Sequence, residues 1–261
     1  MMKVINPFRA CLYAGVLLLL LTGKANAVTL LDPVEGKKEA QELIGKLLSL
    51  QPTEDSTNYG TVKYFPKDKT KRLVTPMRFI VRVTPTNWMN IYEPVTNPVM
   101  DRAQFVVTHA GTNLNQYELF FTTSNSVGSL KLGTPQYPLN GNMIIPYLAD
   151  FSIGDLGLDF LHWPSQRIVK KEFAHNCGCS VLESINPDPA NKQGYSKVLT
   201  WFDNDSLGVV QAEAYDVKGD LLKEFTPESL SKVNGQWQVE EIRMDNVQTK
   251  SHTVITFDLN H

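Results

Sequence analysis

The sequence predicts a mostly β protein with a few helices: a curved antiparallel sheet forming an open, incomplete barrel, with helices covering one face or mouth. Three observations predict it. Short runs of strand-like sequence recur from about residue 58 to the end of the 261-residue chain. They follow one another through Pro-, Gly- and Asn-rich turns with no long helix between them, which favours antiparallel pairing of sequence neighbours. One amphipathic helix precedes them, and its apolar side needs a partner.

The chain starts with a segment that reads as a cleavable signal peptide. Lys3 and Arg9 supply positive charge, Cys11 to Leu21 is apolar, and Ala25-Asn26-Ala27 is a small-residue cleavage site. The apolar run is shorter than a membrane span requires. Cys11 lies before that run, not after it, where a lipidated cysteine would stand. Residues 1–27 are therefore expected to be removed, leaving a single domain over 28–261. No later stretch is long and apolar enough to cross a membrane.

The helix is expected from about Pro33 to Leu50. Ala40, Leu43, Ile44, Leu47 and Leu48 recur at three- and four-residue spacing, Asp32 is suited to the N-cap, and Pro33 to the first turn. In Met77 to Val83 the residues Met77, Phe79, Val81 and Val83 alternate with Arg78, Ile80 and Arg82, between Pro76 and Pro85. Trp88 to Tyr92, Ala103 to Thr108 and Gln116 to Thr122 read as further strands, and Gly133 to Gly141 as a loop. A short helix or turn is expected in Ile153 to Leu161, ended by Pro164. A meander follows: Arg167 to Phe173, Cys179 to Ile185, Lys197 to Asp203, Val209 to Asp216, Asp220 to Thr226, Gln236 to Val247 and Thr253 to Leu259. Its turns are Asp203-Asn204-Asp205, Val217 to Asp220 and Asn234-Gly235.

Composition narrows the function. Cleavage removes Lys3, Arg9 and Lys24 but no acid, so the formal net charge of −2 becomes −5. A mildly acidic chain whose densest basic patch is Lys67 to Arg72 is a poor nucleic-acid binder. Only Cys177 and Cys179 remain, so a hydrophobic core must hold the fold. The stretch His175-Asn176-Cys177-Gly178-Cys179 is open to three readings: a disulfide, two thiols, or a metal site lacking a fourth ligand. Alternate residues of an extended strand stand at the limit for bridging, so a disulfide requires Gly178 to fold the chain. The sequence has no G-x-S-x-G, H-E-x-x-H or phosphate-binding loop, and His109, His162 and His252 are isolated. No catalytic group, metal or cofactor is expected.

The second half carries an ordered series of motifs. Asp150-Phe151-Ser152-x-x-Asp155-Leu156 comes first, then Val181-Leu182-Glu183-Ser184 and Tyr195-x-Lys197-Val198-x-x-Trp201-x-Asp203. Glu213-x-Tyr215-Asp216-x-x-Gly219-x-x-x-Lys223, Asn234-Gly235-x-Trp237 and Ile242-x-Met244-x-Asn246 complete it. From about Asp150 to Leu259 this series resembles the outer-membrane lipoprotein-sorting proteins, the LolA-like periplasmic carriers. The resemblance implies an open barrel whose apolar interior holds acyl chains of a lipoprotein or lipid on the way to the outer membrane. It also implies an inner-membrane transporter and an outer-membrane acceptor as partners. Candidate wall residues are Met77, Phe79, Val81 and Val83 on one strand and Ile242 and Met244 on another, with Leu43 and Leu47 of the helix near the opening. The alternative is an envelope module with a filled barrel that docks a protein partner and transports nothing.

Overall fold

The computed structural model describes residues 28–68, 72–95, 102–111, 113–122, 146–189, 194–233 and 236–259. The expected signal peptide, the loop Gly133 to Gly141 and the Asn234-Gly235 turn lie outside these residues. After β1 (Thr29–Leu30), helix α1 (Pro33–Ser49) starts where its signals put it: the Asp32 carboxylate accepts from Val34 N at 2.9 Å, with Pro33 in the first turn. Strands β2 (Ser56–Phe65), β3 (Leu73–Val83), β4 (Trp88–Pro94), β5 (Arg102–His109) and β6 (Gln116–Thr122) follow. A helical segment comes next, with a 3₁₀ turn at Pro146–Leu148, α2 (Ile153–Gly157) and a second 3₁₀ turn at Asp159–His162. The second run is β7 (Ser165–Ala174), β8 (Cys177–Ile185), β9 (Lys197–Asp203), β10 (Val209–Tyr215), β11 (Leu221–Val233), β12 (Gln236–Asn246) and β13 (Ser251–Asp258).

All thirteen strands form one sheet in the order β1-β7-β8-β9-β10-β11-β12-β13-β2-β3-β4-β5-β6. Among the described residues every pairing is antiparallel and the sheet is open, with β1 and β6 at its two ends. Two meanders, β2 to β6 and β7 to β13, therefore meet at a seam where β13 pairs with β2, Ile255 opposite Val62.

Two prolines lie inside strands that they were expected to bound or follow. Pro76 was expected to precede the β3 strand, yet that strand begins at Leu73. Pro76 tolerates this because β4 stops at Pro94 opposite Met77, so residues 73–76 pair only with β2. Its carbonyl accepts from Val95 N at 2.8 Å. Strand β11, expected to end at Thr226, runs through Pro227 to Val233, and the register shifts between Pro227 and Ser229. A bulge accommodates a residue without an N–H to donate.

One face of the sheet, here the inner face, carries the helices and two apolar clusters. Val62, Met77, Phe105, Val107, Tyr117, Met244 and Ile255 pack beneath Leu148, Phe151 and Ile153 of the helical segment. Ile168, Leu182, Val198, Phe202, Ala214 and Leu222 pack beneath Ala40, Phe160 and Leu161. A smaller cluster of Cys177, Cys179, Val181 and Trp201 lies on the outer face. Helix α1 buries Gly36 and Ala40 and packs Leu43, Ile44, Leu47 and Leu48 on the second cluster, leaving Gly45 on its exposed side. A Cβ at Gly36 would stand 2.4 Å from Ile168 O, whereas one at Gly45 would meet nothing within 4 Å.

Candidate functional site

Strand register sets a continuous apolar band across the inner face. It runs from Phe225 on β11 through Ile242 and Met244, Ile255 and Phe257, Val62, and Met77 and Phe79, to Tyr92, Phe105 and Leu119. Within it Met77 is 0% and Met244 4% exposed, so these two are close-packed floor. Phe79, Tyr92, Leu119, Phe225, Ile242 and Phe257 pack on that floor but stay half-buried. The rings adopt tilted and edge-on contacts: Phe79–Phe257 centroids lie 4.9 Å apart, Phe79–Tyr92 6.1 Å and Tyr92–Phe105 5.9 Å. Phe79 and Phe257 belong to β3 and β13, on either side of β2. They meet because the intervening inner-face position, opposite Phe257, is Gly60. A Cβ there would stand 2.0 Å from Thr256 O, so β2 and β13 also approach more closely than a side chain allows.

The expected wall residues divide. Met77, Phe79, Ile242 and Met244 come together in one cluster. Val81 and Val83 continue the same face of β3, half-buried beside Asn90 and Trp88. Leu43 and Leu47 lie half-buried in the other cluster, against β7 to β11. Sequence reasoning missed Tyr92, Phe105, Phe225 and Phe257, which join the wall through strand order. The signal that was available is Gly60, because a glycine inside a strand marks close approach of neighbours.

The helical segment over this face is held by three carboxylates. Asp150 accepts from Ser251 Oγ at 2.7 Å and Thr253 Oγ1 at 2.8 Å on β13. Asp155 accepts from Ser152 N and Oγ, from Tyr195 OH at 2.7 Å, and from Lys223 Nζ at 3.0 Å on β11. Asp159 accepts from Tyr117 OH and from Asn115 Nδ2, which also donates to Gly157 O at 2.6 Å. Burial raises the Asp159 carboxyl above the usual carboxylate range and pushes the Tyr117 and Tyr195 phenols up, with Asp159 and Asp155 adding to the two phenols. Burial also lowers His109 to about 4, where it stacks on Trp88 at 3.9 Å. The motif residues Asp150, Asp155, Tyr195 and Lys223 thus anchor the cover to the sheet. Asp203 and Asp216 cap turns, accepting from Ser206 N and from Lys218 N.

A cleft of about 360 Å³ opens between α1 and β7 to β9. Glu35, Glu39, Glu42, Lys38, Lys46 and Asp203 line much of it, so it offers an acyl chain little apolar contact. The aromatic band is the better apolar surface.

The comparisons match this architecture. A protein-family model described as "Uncharacterized protein"-like matches residues 149–259. No curated protein sequence matches the chain significantly. Among solved structures, a DUF1329 family protein from Desulfovibrio piger superposes with a TM-score of 0.66 at 18% identity, covering 87% of this chain and 92% of that one. An outer membrane lipoprotein-sorting protein domain from Vibrio parahaemolyticus gives 0.64 at 19%, with 87% and 92% covered. A LolA superfamily protein from Nitrosomonas europaea gives 0.54 at 16%, with 84% and 91% covered. The chain therefore has the LolA-like fold, an open curved antiparallel sheet under helices.

Proposed function

We propose that this protein is a periplasmic carrier that holds acyl chains of a lipoprotein or lipid on the inner face and delivers them to the outer membrane. One observation carries the reading: on a sheet that among the described residues is open at both ends, the rings of Phe79, Tyr92, Phe225 and Phe257 stand half-buried above a packed floor. Each methylene taken from water onto such a surface contributes about 0.8 kcal/mol. A partner-docking module that carries nothing calls for an inner face closed over, which half-buried rings do not favour. A structure of the same fold named for lipoprotein sorting supports the carrier reading. An inner-membrane donor and an outer-membrane acceptor complete it, with residues 1–27 as the cleaved export signal and 28–261 as one domain. Among the described residues no helix is long and apolar enough to cross a membrane.

The test compares two aspartate substitutions on one face of β3. Met77→Asp places a charge in the packed floor and is expected to unfold the protein. Val81→Asp, at a half-buried position, is expected to keep the fold and lose binding of a fluorescent fatty acid. A folded wild type that binds no apolar probe overturns the proposal. N-terminal sequencing of the exported protein is expected to begin at Val28.

A further inference from the structure

The outer-face cluster holds chemistry that a carrier does not use. The hairpin between β7 and β8 turns through His175 and Asn176, both left-handed at φ 52 and 63. The turn brings Ala174 opposite Cys177 and starts β8 on Cys177-Gly178-Cys179. Both sulfurs lie on the outer face, and Sγ of Cys177 stands 3.4 Å from Sγ of Cys179. Extended backbone ordinarily keeps alternate cysteines apart; here the side chains converge without a fold at Gly178. Trp201 packs against the pair, and its Nε1 donates to Glu172 at 2.6 Å.

Gly178 is the second observation. It has no positive φ, and a Cβ built on it would meet only Asn204 Nδ2, at an ordinary 3.5 Å. Neither backbone strain nor crowding requires glycine in this state, and glycine weakens a strand. Its freedom is useful in a different state, a small ring closed between residues 177 and 179, in which the middle residue must leave extended geometry.

We propose that Cys177 and Cys179 are a reversible dithiol–disulfide site, oxidised by thiol–disulfide exchange with a disulfide-bearing partner, and that Gly178 is there to let the ring close. Both cysteines are buried, and Cys177, 7% exposed against 0% for Cys179, is the nearer to solvent and so takes the first step. Its thiolate attacks one sulfur of the oxidant's disulfide, breaking that bond and releasing one thiolate, which takes up a proton. The Cys179 sulfur, losing its own proton, then attacks Cys177 Sγ and expels the second thiol. The protein's two thiols become one disulfide, and the oxidant becomes two thiols. Ring closure moves Gly178, whose carbonyl accepts from Asn204 N at 2.9 Å, and so reaches a residue lining the cleft beside α1.

The site is independent of what the inner face carries, and its test uses no lipid. The reduced protein is incubated with oxidised glutathione, alkylated, and digested to the peptide that carries both cysteines. The expected product has lost two hydrogens and carries no alkyl group, and Trp201 fluorescence changes with the same time course. Cys179→Ser is expected to stop at a glutathione adduct on Cys177. Gly178→Ala is expected to melt like the wild type when reduced but to close the ring about tenfold more slowly, equivalent to ~1.4 kcal/mol of barrier. Full alkylation of both cysteines after oxidation overturns the proposal, as does accumulation of separate adducts on each. Ring closure by Gly178→Ala at the wild-type rate overturns the role of the glycine and the proposal with it.

Discussion

Asp155 collects donors from three parts of the chain, namely Ser152, Tyr195 and Lys223, and it and Lys223 are only about a tenth exposed. Such a buried pair adds little over apolar packing, but removing one partner leaves a charge that nothing compensates. Lys223→Met is expected to destabilise by about 3–5 kcal/mol in urea titrations, with Lys223→Met plus Asp155→Asn costing less than the sum of the single changes. His109 supplies a pH dependence whose sign follows from its burial. Its folded pKa is about 4 against 6.5 for the ordinary side chain. Between those values the unfolded chain takes up a proton that the folded chain refuses. The stability is therefore fully present above pH 6.5 and is lost as pH falls to 4, by on the order of 3 kcal/mol. Asp159, raised by burial, acts in the opposite sense and loses stability as pH rises through its folded value. Comparing urea midpoints of wild type and His109→Gln at pH 7 and pH 4.5 isolates the histidine. The variant is expected to lose much less on acidification, and His252, also lowered by burial, retains part of the slope.

Helix α1 has a buried side and an exposed side, and one glycine stands on each. Alanine at Gly36 drives a methyl group into the Ile168 carbonyl, while alanine at Gly45 meets open space. Gly45→Ala is expected to gain up to about 1 kcal/mol from helix propensity, a rise of ~2–4 °C in melting temperature for a chain of this size. Gly36→Ala is expected to lower the melting temperature and to raise hydrogen exchange in α1. Elements of this kind were readable where their signals are local. Asp32 and Pro33 gave the start of α1, and alternation gave the core of β3. Pro76 and Pro227 misled because a proline is excluded only from the paired middle of a sheet. Whether residues 73–76 form an edge, or Pro227 sits at a bulge, depends on where neighbouring strands stop. The candidate site was legible in the same proportion. Met77, Phe79, Ile242 and Met244 follow from period-two patterning, whereas Phe257 joins Phe79 only because β13 lies against β2, two hundred residues away in sequence by order of magnitude. Leu43 and Leu47 show the limit of helix periodicity: it identified the apolar side of α1, not which half of the inner face receives it.

At the scale of the whole molecule the seam between β13 and β2 is the joint of the two meanders, and Gly60 is a point of close approach in it. Gly60→Val is expected to cost several kcal/mol by overpacking against Thr256 O, and to part Phe257 from Phe79. Circular dichroism melts and fatty-acid titration on the same sample read both effects. The seam also sets a clock. Strand β2 ends at Phe65, and the strand that completes its pairing, Ser251–Asp258, begins 186 residues further along the chain. At roughly 5–20 residues per second of synthesis, β2 waits on the order of 10–40 s with one hydrogen-bonding edge bare. An edge left open that long recruits strangers unless something shields it. Until Ser251–Asp258 has been made, the seam joining the two meanders cannot close, and the inner face stays unformed across it.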